Sequence, residues 1–151
     1  MDENDREAYL YKMRYSQFLY EKNGASALRD LEEYEISRME RRWNELGEKT
    51  GRSLTALMKT LWGGMDPDFR FEIVRQTEGE AEIRCTRCPF ADLSLANGMR
   101  EVGFSTYCMA DYGIVKGVNG DIRFERTKTL MEGDDCCNHA YFLEKKSRTG
   151  G

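Results

Sequence analysis

Phe69-Arg70-Phe71-Glu72-Ile73-Val74 is the stretch where the chain changes its period. Apolar and charged side chains alternate there every second residue, the spacing that gives a strand one apolar face and one polar face. Thr77-Glu78-Gly79-Glu80 reads as a turn, and Ala81 to Arg87 as the returning strand of a hairpin that Pro89 ends.

Upstream of this hairpin the pattern is helical. One segment runs from about Arg6 to Lys22 and breaks at Asn23-Gly24. A second runs from about Ala25 to Lys49, with Leu28, Leu31, Met39, Trp43 and Leu46 near multiples of the helical period, and Gly51 ends it. Ser53 has the side chain of an N-cap for a third helix carrying Leu54, Leu57, Met58, Leu61 and Trp62, closed by Gly63-Gly64. Downstream, a short helix is expected over Phe90 to Asn97 and a longer one from about Phe104 to Val115. Asn119-Gly120 turns into a third strand, Ile122 to Arg126, and Gly133-Asp134-Asp135 into a fourth, Cys136 to Leu143.

The order is therefore three helices, two strands, two helices, two strands. It predicts an α+β fold with N-terminal helices packed on an antiparallel sheet of about four strands. A chain of 151 residues fits one domain, expected over 1–146 as a helical part (1–65) and a cysteine-rich part (66–146), with a flexible tail at 147–151.

The 23 basic and 27 acidic residues leave a net charge of −4, with the signs interspersed as in Glu40-Arg41-Arg42 and Glu48-Lys49. A basic block with interleaved aromatics, which would follow a phosphate backbone, is missing, so nucleic acid is not an expected partner. No apolar run approaches bilayer length, and Met1-Asp2-Glu3-Asn4-Asp5 is acidic where a signal peptide is basic, so a cytoplasmic protein that does not enter a membrane is expected. The long amphipathic N-terminal helices make a homodimer reasonable.

Five cysteines, Cys85, Cys88, Cys108, Cys136 and Cys137, are an odd number, and a reducing compartment disfavours a disulfide framework. Metal binding, a reactive thiol and buried packing remain. Alternation on the last strand puts Cys137, His139 and Tyr141 on one face, with Cys136, Asn138 and Ala140 on the other. Cys108 and Asp111, three apart on a helix, share a face. Cys85 and Cys88 straddle the end of the second strand.

These parts allow two mechanisms. A thiolate could attack an electrophilic carbon while Asp111 or His139 moves protons, provided a neighbour depresses the thiol pKa. Alternatively Cys88, Cys108 and Cys137 could converge on zinc, with Asp111, His139 or water as the fourth ligand. A lone Cys85-Thr86-Arg87-Cys88 pair is weak evidence for metal, and adjacent Cys136 and Cys137 point to opposite faces. Against both mechanisms, a free cysteine is about as often a small buried hydrophobe. A lone His139 is more often structural, Trp43 and Trp62 are most simply core, and Asp134-Asp135 serves a turn. Glu35 falls inside the apolar stripe of the second helix, either at the edge of the buried face or lining a pocket.

Thr86-Arg87-Cys88-Pro89-Phe90, Cys108-Met109-Ala110-Asp111 and Gly133-Asp134-Asp135-Cys136-Cys137, in this order and spacing, resemble the L-2-amino-thiazoline-4-carboxylic acid hydrolase family. The resemblance implies hydrolysis of a cyclic isothiourea. Water or an enzyme nucleophile adds to the ring carbon between nitrogen and sulfur, the carbon–sulfur bond breaks, and N-carbamoyl-L-cysteine results. Cys108 or Cys137 as nucleophile, Asp111 and His139 as proton carriers, and one of Arg84, Arg87 or Arg123 for the substrate carboxylate would fill the posts, with Cys88 and Glu35 as further substrate contacts.

The Gly-Asp…Cys ending is also similar to vinyl-reductase-type small-molecule-binding domains of sensory regulators, some of which hold zinc. Their cysteine after a strand glutamate is absent here, where Arg126-Thr127-Lys128-Thr129 follows Glu125. A small-molecule hydrolase, a binding or sensory module, and a zinc-stabilised structural domain are thus the three readings. The chain leaves no room for a sensor's output domain, which favours the enzyme.

Overall fold

In the computed structural model, residues 1–144 are described, and the tail expected at 147–151 lies outside them. Asp2 caps helix α1 (Glu3–Asn23), its carboxylate accepting the Asp5 amide N–H at 2.8 Å. Gly24, at φ 70°, breaks the chain as expected, and α2 (Ala25–Thr50) returns along α1. Ser53 caps α3 (Leu54–Leu61), its hydroxyl accepting from the Ala56 amide at 3.0 Å. Among the described residues no helix is long and apolar enough to cross a membrane.

Strands β1 (Arg70–Gln76), β2 (Glu80–Arg87), β3 (Ile122–Glu125) and β4 (Cys137–Leu143) form one antiparallel sheet in the order β1-β2-β4-β3. β1 starts one residue later than its alternation suggests and runs to Gln76, because a bulge at Val74 sets Ile73 opposite Ile83 and Arg75 opposite Glu82. The two later strands pair, but not as a tight hairpin. The chain leaves β3 at the sheet edge, makes a 3₁₀ turn at Leu130–Glu132, and enters β4 between β2 and β3. This insertion sets Cys137 opposite Cys85, His139 opposite Ile83, and Tyr141 opposite both Ala81 and Phe124.

The inner face of the sheet carries Ala81, Ile83, Cys85, Cys137 and Tyr141, covered by Leu54, Leu57, Met58 and Trp62 of the α3 region and by later helical residues Ile114, Val115 and Val118. Burial of these apolar side chains supplies the main driving force for docking helices on the sheet. A second cluster, Tyr9, Leu10, Met13, Met99 and Val102, holds α1 to the helices that follow β2.

Those helices depart from expectation. After α4 (Pro89–Ala96), the long helix starts early, as α5 (Arg100–Gly103). It then passes through a π-helical turn (Phe104–Cys108) and continues as α6 (Ala110–Val118). The Thr106 hydroxyl donates to the Val102 carbonyl at 2.5 Å, one turn back, a bond that competes with the backbone ladder and bends helices.

α6 lies tightly against α2. A Cβ on Gly113 would sit 2.2 Å from the Ile36 carbonyl oxygen, and one on Gly117 2.4 Å from that of Glu40. Because the obstacle is backbone, Gly113→Ala should force the helices apart at a cost of about 3 kcal/mol, lowering Tm by roughly 6–12 °C in a chain of this size. A circular-dichroism melt checks this, and an unchanged Tm would contradict the close approach.

Candidate functional site

The crossing of β4 through the sheet, the π-helical turn and the β2–α4 junction bring chemistry-bearing residues to one cavity of about 40 Å³. Cys85 comes from β2, Cys88 from the junction, and Cys108 from the end of the π-helical turn. Asp111 comes from α6, Arg126 from just beyond β3, and Cys137 and His139 from β4. Trp62 closes one side, and the partly exposed Leu61, Met65 and Phe69 form the wall nearest solvent.

At its centre is an ion pair. Arg126 Nη1 donates to Asp111 Oδ2 at 2.6 Å, and its Nη2 donates to the Cys108 carbonyl at 3.0 Å. The irregular helix makes the second bond available. The Tyr112 amide donates to Met109 rather than one residue further back to Cys108, which frees the Cys108 carbonyl. The Arg126 side chain is 3% exposed and that of Asp111 24%. The guanidinium also lies 5.4 Å from the Phe124 ring centre and 5.8 Å from that of Tyr112. Burial raises the Asp111 pKa to about 6 even though Arg126 pulls it down.

The imidazole is held by a relay. Trp62 Nε1–H donates to the Tyr141 hydroxyl at 3.1 Å, and that hydroxyl stands 3.5 Å from His139 Nδ1. The Tyr141 oxygen keeps a lone pair beyond the one that receives from Trp62, so either the Tyr141 O–H or the His139 ring N–H can be the donor in this contact. Burial, helped by the nearby Arg126 charge, lowers the His139 pKa to about 3. His139 is therefore a neutral imidazole at physiological pH, with one ring nitrogen to donate and one to accept.

Burial likewise raises the thiols. Cys85 and Cys88 are pushed up to about 12, Cys108 well above its ordinary value, and Cys137 upward. No thiolate is available near neutral pH in this arrangement. The zinc set expected from Cys88, Cys108 and Cys137 with Asp111 or His139 does not fit. Among the described residues no three His, Cys, Asp or Glu side chains are placed to hold a metal. Asp111 is committed to Arg126, and the Cys137 sulfur accepts the Leu130 amide at 3.2 Å.

Of the residues expected at a site, Cys88, Cys108, Asp111, Cys137 and His139 line this cavity, while Arg84, Arg87 and Arg123 lie elsewhere. Arg84, between the inward Ile83 and Cys85, faces outward toward Glu72 and Asp135. Arg87 is exposed beside Asp92. Arg123 faces out to Glu125 and Glu144, its guanidinium 4.4 Å from the Phe142 ring centre. Arg126 is the cation that lines the cavity. Its signal was strand parity, because it shares the phase of inward Ile122 and Phe124. Glu35, 2% exposed, is tied to Lys12 of α1 and Arg38 on its own helix, away from the cavity. Cys136 is buried but lies outside the lining.

The sequence pattern of the L-2-amino-thiazoline-4-carboxylic acid hydrolase family matches residues 7–141, a span that includes every residue of the cavity. The chain belongs to that family. Curated proteins give no match. Among solved structures it is similar to a trafficking protein particle complex subunit 3 from Naegleria fowleri covalently bound to palmitic acid. The two are 18% identical over 96% of this chain and 98% of that one, with a TM-score of 0.56. This likeness shows that this chain and that subunit share a fold.

Proposed function

We propose that the cavity around Asp111 and Arg126 is the active site of a hydrolase that opens a small cyclic isothiourea of the L-2-amino-thiazoline-4-carboxylate type. The observation that carries this reading is the pair of a buried Arg126 and a half-buried Asp111 in the wall of a predominantly apolar, thiol-lined cavity. Asp111, with a pKa of about 6, is a carboxylate at neutral pH and close enough to neutrality to carry a proton both ways.

The nucleophile in this account is water. Asp111 takes a proton from water as its oxygen bonds to the ring carbon between nitrogen and sulfur. The carbon–sulfur bond then breaks, and the leaving thiolate takes the proton back from Asp111. Substrate plus one water equals N-carbamoyl-L-cysteine. Arg126 has N–H groups beyond the two committed to Asp111 and Cys108, and these receive the substrate carboxylate. The N–H of neutral His139 donates to the ring heteroatom that gains negative charge. The protonated thiols provide a polarisable, water-poor lining.

A cavity of about 40 Å³ holds two or three waters, so substrate entry requires displacement of the Leu61, Met65 and Phe69 wall.

Cys108→Ala and Cys137→Ala separate this route from thiolate attack. Activated water predicts that both variants, once shown to fold, keep turnover within about tenfold of the parent chain. A loss of about a thousandfold or more in either would assign the nucleophile to that sulfur. The second reading is a non-catalytic binding module, favoured by the predominantly apolar wall and the un-ionised thiols. It predicts a bound isothiourea that is recovered unchanged.

A further inference from the structure

α1 is apolar on two sides. Tyr9, Leu10 and Met13 face the core, while Tyr11, Tyr15 and Phe18 are 74%, 60% and 59% exposed. Their spacing of four and three residues makes the exposed rings one continuous stripe. On α2, Tyr34 is 64% exposed and adjoins Glu35, whose ion pair with Lys12 ties the two helices together at that level. Aromatic rings exposed in one stripe and flanked by charges are the kind of patch that marks an interaction surface.

The charges identify the occupant. The exposed stripe reads Glu7, Tyr11, Arg14, Tyr15, Phe18, Lys22, acidic at one end and basic at the other. Glu7, Arg14 and Lys22 make no ion pair within the chain among the described residues, whereas neighbouring Lys12 is paired. Turned end for end about the point between Arg14 and Tyr15, the stripe complements itself. Glu7 meets Lys22, Tyr11 meets Phe18, and Arg14 lies over Tyr15, each contact occurring twice.

We infer that this face of α1 is a homodimer interface, in which the α1 helices of two copies pack antiparallel about a two-fold axis between Arg14 and Tyr15. The surface lies apart from the cavity lining, so the proposal does not depend on what the cavity does.

Light scattering of the full chain across about 1–100 µM tests it. The result expected is a mass twice the 17.6 kDa of one chain. Tyr15→Arg sets like charges together at the axis and should give monomers with an unchanged circular-dichroism spectrum. Glu7→Lys should weaken the dimer about tenfold, because two pairs become repulsive, and Glu7→Lys with Lys22→Glu should restore it. A monomer throughout the range overturns the inference. So does a dimer indifferent to Tyr15→Arg, which would place the interface elsewhere, or a charge swap that fails to restore what Glu7→Lys removes.

Discussion

Arg126→Met is expected to destabilise the protein by about 3 kcal/mol and to remove its activity at neutral pH. The guanidinium is almost wholly enclosed and serves Asp111 Oδ2, the Cys108 carbonyl and two aromatic faces at once. Removing one member of a buried pair commonly costs about 3–5 kcal/mol because the other charge is stranded. The lower end applies here because Asp111 can take up a proton. Denaturant unfolding measures the loss. Activity responds separately. Arg126 is what holds the Asp111 pKa down against burial, so without it that pKa rises further and a larger fraction of the base is protonated at pH 7. The acid limb of the pH–rate profile should move upward and KM should rise as the carboxylate partner disappears. A variant as stable and active as the parent would show that the pair organises nothing.

Asp111→Asn carries the second large effect. General acid–base groups typically contribute 10²–10⁴-fold, and the amide retains shape while losing the proton acceptor. The parent chain requires Asp111 as carboxylate, so turnover should be level above about pH 7 and fall as pH drops through about 6. In Asp111→Asn the residual rate should be lower by that factor and carry no limb near 6. His139, with its pKa lowered to about 3, should give no inflection between pH 5 and 8 in either protein. A limb in that range surviving in Asp111→Asn would return the proton-transfer role to His139.

Much of this site was legible in the chain because strand alternation is local. The phase of β4 put Cys137, His139 and Tyr141 on one face, and all three are buried there. Cys108 and Asp111 were joined by helical spacing despite the π-helical turn between Phe104 and Cys108. Arg126 lies one residue beyond β3 yet keeps its alternation, in phase with the inward Ile122 and Phe124. Arg84 and Arg123 are turned outward by the same alternation, whereas Arg87 shares the phase of Ile83 and Cys85 but, at the end of β2, is exposed beside Asp92.

Other features depend on contacts far apart in sequence. The insertion of β4 between β2 and β3 follows from inner-face packing under α3 and α6, not from either strand alone. The bond from Trp62 to Tyr141 spans 79 positions, so no local pattern announces the setting in which His139 is buried. Glu35 looked ambiguous on its helix because its partner Lys12 lies on another one.

Release of thiol from L-2-amino-thiazoline-4-carboxylate at pH 7.5 reads hydrolysis at the Asp111 cavity directly. Small molecules are separated from the protein by ultrafiltration and titrated with a thiol reagent, so that protein cysteines do not contribute. The account predicts one new thiol for each substrate consumed, accumulating over many turnovers with the parent chain and at least a hundredfold more slowly with Asp111→Asn. No thiol from the parent chain, or equal rates from the two proteins, would contradict it.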